Sequence, residues 1–106
     1  KLEVNMYDDK IKFLNQYHEC ENDINTLESM DITYKIVNKI ESLRTIQEHI
    51  MDSIFKLNDS DERNVLFRRF VLNQSQNQIA SEMQYSTRNI RRIQSKAIEH
   101  LNIRKD

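Results

Sequence analysis

The 106 residues contain no glycine, no proline, no tryptophan and a single cysteine. An average chain of this length would carry roughly seven glycines and five prolines. Without glycine there can be no Gly-rich phosphate loop, dinucleotide fingerprint or nucleophile elbow, and no Asn-Gly or Asp-Gly hairpin turn. Each of these needs positive φ or a missing Cβ. What remains is a helical protein with short connections. No run of about 18 apolar residues exists, so neither a transmembrane helix nor a membrane partner is expected. Cys20 has no partner for an internal disulfide and fits a reducing cytoplasm. The Lys1-Leu2-Glu3-Val4 start has neither an apolar signal region nor an initiating Met, so a trimmed or tag-cleaved chain is expected. With 38 % apolar and 31 % charged residues, the chain has a modest core and thin, elongated or partner-covered helices.

The formal net charge of −1 conceals a division. Residues 1–62 hold seven Lys and Arg against fourteen Asp and Glu, whereas residues 63–106 hold nine against three. Asymmetry of this size is the footprint of a basic module for a polyanion joined to an acidic module with another task. A boundary falls at the helix-start cluster Asn58-Asp59-Ser60-Asp61-Glu62, giving domains 1–57 and 58–106.

In the acidic half, Met6, Lys10, Phe13, Tyr17, Cys20, Ile24 and Leu27 step by three and four, with Lys10 as a snorkelling member. Asn22, Asp23 and Asn25 are weak helix formers, and a bend or break is expected there. The pattern resets near Ser29 to Thr33, with Asp31 or Thr33 as the cap. A second stripe follows through Ile36, Ile40, Leu43, Gln47, Ile50, Ile54 and Leu57, widened by Ile46 and Phe55. Two long helices of this kind form a coiled-coil-like antiparallel hairpin or pair between chains as a homodimer through residues 1–57. Gln47 is either an exposed edge position or, as the apolar stripe residues on both sides favour, a buried polar residue that fixes register and oligomeric state.

Three shorter helices are expected in the basic half. One spans about 60–72 and ends at Asn73, which tolerates αL. A second spans Gln76 to Met83, capped by Ser75, and a third is capped by Ser86. Ala80 lets two helices cross closely, Ile79, Met83 and Ile90 fill the angle, and Gln84-Tyr85-Ser86 connects them, which is helix-turn-helix spacing. Ile90, Ile93, Ala97 and Leu101 form the inner stripe of the last helix. Arg88, Arg91, Arg92 and Lys96 lie on its opposite face. Cationic and short polar side chains at the start of such a helix suit the major groove, where Arg reads guanine bidentately.

Leu57, Glu62-Arg63, Val65-Leu66, Arg69-Phe70, Ser75, Gln78-Ile79-Ala80, Met83, Ser86, Ile90-Arg91, Ile93, Lys96-Ala97-Ile98 and Leu101 resemble region 4 of the sigma-70 factors, the helix-turn-helix that reads the −35 promoter element. The resemblance covers about residues 57–103. No counterpart of the segments that melt the −10 element is present. A stand-alone helix-turn-helix behind a helical N-terminal half is similar to the phage late-operon activators of the ArpU, RinA and LtrC type. That resemblance implies activation of phage late genes together with RNA polymerase. Carried over by position, it makes Thr87, Arg88, Asn89, Arg91 and Arg92 base-reading residues and Lys96 a phosphate contact. Family members commonly have glycine where this chain has Asn73 and Gln84. Asn holds αL readily, whereas Gln84 there is strained or the turn is reshaped. Arg63, Arg68 and Arg69, on the supporting helix, are either a phosphate clamp or solvated.

Other chemistry finds no framework. His18 and Cys20 point about 200° apart on a helix and cannot share a metal, and no four-ligand set remains. Asp8-Asp9 and Glu19-Glu21 sit on helical faces without a pocket, and no Ser-His-Asp or Cys-His pairing has structural context. The chain is therefore read as a cytoplasmic, non-enzymatic, cofactor-free and metal-free all-α regulator. Its partners would be double-stranded DNA and RNA polymerase. The alternative is a polymerase-binding or anti-sigma-like interaction module without DNA specificity of its own. A small terminase subunit, which also joins a helix-turn-helix to further helices, is the less favoured variant.

Overall fold

The computed structural model describes residues 6–30 and 33–103; the chain start and the alternative cap Asp31 lie outside the described residues. Every regular element among the described residues is helical. Helix α1 (Met6–Glu28) and helix α2 (Tyr34–Phe55) pack against each other as a hairpin within the chain. Thr33 caps α2, its hydroxyl accepting from the Ile36 amide at 3.3 Å. Helix α1 runs unbroken through Asn22-Asp23-Asn25, where a bend was expected. Ile24 in the middle of that stretch is fully buried, so packing outweighs a propensity deficit of a few tenths of a kcal/mol per residue.

Cys20, Ile24 and Leu43, flanked by Leu27 and Ile40, form the outer core of the hairpin. Gln47 behaves as its position in the stripe predicts: it is 5 % exposed and donates from Nε2 to the Tyr17 carbonyl at 3.1 Å and to Glu21 Oε1 at 2.9 Å. Those bonds fix the register of α2 on α1 inside one chain. Three stripe members fall outside the core, since Met6, Ile46 and Phe55 are exposed. Leu14, one position off the α1 stripe, is instead fully buried, because α1 must face two neighbours, α2 and the C-terminal helices.

Helix α3 (Ser60–Leu66) is capped by Asp59 and carries Asp61 and Glu62 in its first turn, where the helix dipole favours them. It passes directly into a π-helical turn, Phe67–Val71, closed by the Leu72 amide on the Phe67 carbonyl at 3.0 Å. The 3.6-residue pattern over 60–72 does not disclose this wider turn. Asn73 follows at φ 61°, and the Gln74 amide closes on the Arg68 carbonyl at 2.9 Å. Helix α4 (Gln76–Met83) begins with a reciprocal capping box between Ser75 and Gln78, and helix α5 (Thr87–His100) begins at the Ser86 cap.

The core crosses the point at which composition changes. Leu14 of α1 and Ile50 and Ile54 of α2 share one apolar cluster with Leu57, Leu66, Phe70, Ala97, Ile98 and Leu101. Polar contacts follow the same route. Lys10 Nζ donates to the Glu99 carbonyl at 2.9 Å near the C-terminus of α5, and His49 Nε2 donates to the Ile103 carbonyl at 3.3 Å. The radius of gyration is 15.5 Å, compared with about 13 Å for a compact domain of this length, because the hairpin projects beyond the shorter helices.

Candidate nucleic-acid interface

The angle between α4 and α5 is filled by Val65, Ile79, Ala80, Ile90 and Ile93, with Met83 and Tyr85 at the edge. The connection is a Schellman-like turn. The Tyr85 amide reaches back to the Ala80 carbonyl at 3.0 Å, and Gln84 holds φ 61° and ψ 40°. The Tyr85 hydroxyl donates to Asp61 Oδ2 at 2.8 Å, tying the turn to the start of α3. That bond to a carboxylate pushes the phenol above its usual 10.0. Two further bonds join α4 to α5: Thr87 Oγ1 to Asn77 Oδ1 at 3.2 Å, and Gln76 Nε2 to Gln94 Oε1 at 3.2 Å. The helix that would meet a ligand is therefore held from both sides.

Ile90, Ile93, Ala97 and Ile98 turn inward along α5, and Arg88, Arg91, Arg92, Ser95 and Lys96 are exposed on the other side. Thr87 and Asn89 are half-buried at the N-terminal end. The six residues singled out in the sequence thus lie on one helix of 14 residues, about 21 Å long. Ion pairs among the described residues are Arg44–Glu28, Arg68–Glu82 and His100–Glu62. None involves a cation of this face. Among the described residues Arg92 alone of these cations has an internal partner, donating from Nε and Nη2 to Asn89 Oδ1 at 3.1 and 2.7 Å.

The arginines of the supporting helix are engaged internally. Arg63 Nη1 donates to the Leu57 carbonyl at 2.7 Å and the Asn58 carbonyl at 3.1 Å, closing the link between α2 and α3. Arg68 binds Glu82 and Asn64, which joins the π turn to α4. Arg69 lies with its guanidinium carbon 5.6 Å from the Phe70 ring centroid. Neither simple solvation nor a free clamp describes Arg63 and Arg68. Apart from Arg68–Asn64, which are four residues apart on one helical stretch, these pairings depend on connection geometry and leave no trace in the spacing of the sequence. Likewise His100 Nδ1 lies 2.9 Å from Oε1 of the buried Glu62, joining α5 to α3.

Among the described residues no cluster of His, Cys, Asp and Glu has the makings of a metal site. No helix of the described residues is long and apolar enough to cross a membrane.

The last three helices define a helix-turn-helix with one basic face that carries no ion pair among the described residues. Residues 56–102 match the family described as Sigma-70, region 4, and this segment is a sigma-70 region 4-like helix-turn-helix. The match begins within a residue of the resemblance traced at Leu57 and includes all six candidate contact residues. A domain of this class points to regulation connected with DNA and RNA polymerase. No curated protein matches the chain, and no solved structure does.

Proposed function

We propose that this protein is a sequence-specific DNA-binding transcription regulator, an activator of phage late-gene type that works with RNA polymerase. It would place α5 in the major groove of a promoter duplex. The observation that carries this reading is the face of α5: four cations exposed side by side on a helix whose other side is buried, with no ion pair to a carboxylate among the described residues. In this reading Arg88, Arg91 and Arg92 meet bases and Thr87 stands at the groove edge. Lys96, two turns further along, meets phosphate. The chemistry is recognition without catalysis, cofactor or metal. The acidic hairpin is the surface offered to polymerase or to a second copy.

Titration of the protein with a promoter-derived duplex tests this. The Arg88→Ala, Arg92→Ala double variant should lose at least tenfold in affinity while keeping its helical circular dichroism. Unchanged affinity would remove the proposed reading head. Co-purification of polymerase without binding to any duplex would favour the interaction-module alternative.

A further inference from the structure

We propose that Asn89 reads no base itself but is a positioning residue, which holds the guanidinium of Arg92 so that its outer edge is presented to guanine. This rests on the DNA-binding reading and assigns different tasks to two residues that the family resemblance treats alike. The geometry is a fork on one atom: Arg92 Nε and Nη2 both donate to Asn89 Oδ1, at 3.1 and 2.7 Å. An arginine carries only donors, so the amide oxygen, not its NH2, has to face it. Asn89 is half-buried, and its backbone N–H donates to Ser86 Oγ at 3.0 Å, which anchors it in the first turn of α5.

The consequence follows from counting donors. Of the five N–H groups of Arg92, two are spent on Asn89, and these lie on the inner, Nε edge of the fork. Both N–H groups of Nη1 and the remaining one of Nη2 face outward. That end-on pair suits guanine O6 and N7. A free surface arginine loses rotamer freedom when it makes such a contact. Arg92 has part of that ordering done before DNA arrives. Arg88 and Arg91, on the same face, have no comparable partner among the described residues. Positional selectivity should therefore be concentrated at the base met by Arg92.

The test is selection of bound sequences from a randomised duplex pool by the full chain and its variants, with circular dichroism as a check on folding. The wild-type protein should enrich guanine at one position that Arg92→Ala abolishes. Asn89→Ala should reduce enrichment at that same position by about three- to tenfold and leave the other positions unchanged. Asn89→Asp retains the acceptor oxygen and should preserve the guanine preference while total affinity falls, because a new negative charge then faces the DNA phosphates. Adding Asn89→Ala to Arg92→Ala should change nothing further. Full retention of the preference in Asn89→Ala would overturn the proposal, as would a loss at a different position, which would make Asn89 a reader. A wild-type protein that selects no sequence would defeat the DNA-binding reading and this inference together.

Discussion

Among the described residues, two bear the backbone cost of a chain without glycine. Gln84 and Asn73 both sit at φ 61°, in the region glycine occupies most cheaply. Asn compensates with a short polar side chain; Gln has no such advantage. Replacing Gln84 with Gly should stabilise the protein by about 0.5–1 kcal/mol, the relief of αL strain exceeding the added freedom of the unfolded chain. Urea unfolding measures it, and clear destabilisation would mean that the Gln84 side chain contributes contacts of its own. Tyr85, the next residue, gives a pH signature. Its phenol is held above the usual 10.0 by donating to Asp61. The folded state thus binds this proton more tightly than the unfolded state does. The stabilisation is complete below pH 10 and is lost as pH rises through the raised value. Tyr85→Phe should be less stable than wild type at pH 8, and the gap should narrow above pH 10. A constant gap would show that the hydrogen bond does not set the titration.

At the scale of elements, the helices and their caps were legible because local chemistry decides them. Ser75 and Ser86 each accept from an amide three residues on, Asp59 does so within the helix-start cluster 58–62, and Gln47 takes the buried one of its two readings. The expected turn at Gln84 and helix end at Asn73 were readable for the same reason. The placement of one element on another was not. Lys10 was visible as an odd member of an apolar stripe, but its partner, the Glu99 carbonyl, lies 89 residues away. Burial pulls this ammonium below its usual range, partly offset by the Glu99 carboxylate. The Arg63 and Arg68 anchors and the π turn were hidden likewise. Leu14, missed by a strict stripe, carries the clearest consequence. It is fully buried in the cluster that includes Ala97, Ile98 and Leu101. Leu14→Ala should cost about 2–5 kcal/mol. Because the core is shared, helix-turn-helix signals, such as those of Tyr85, should melt together with those of the hairpin. A variant that melts in two separated steps would contradict the shared core.

For the whole molecule, charge and shape act together. The acidic excess belongs to residues 1–62 and the basic excess to residues 63–106, so an average near neutrality describes neither end. A polyanion approaching this elongated protein would be drawn toward the α5 end and repelled from the hairpin, which orients encounter before any specific contact forms. The candidate contact face was readable because it lies on one amphipathic helix. What the sequence could not show was that none of its cations forms an ion pair among the described residues, which requires knowing where Glu62, Glu82 and Glu99 fall. DNA recognition by α5 is tested most directly by the affinity for a selected duplex measured at several salt concentrations. With Arg88, Arg91, Arg92 and Lys96 facing DNA, the logarithm of the association constant should fall against the logarithm of salt with a slope of about −2 to −4, made shallower by about one in Lys96→Ala. A slope near zero, or one indifferent to Lys96, would contradict it.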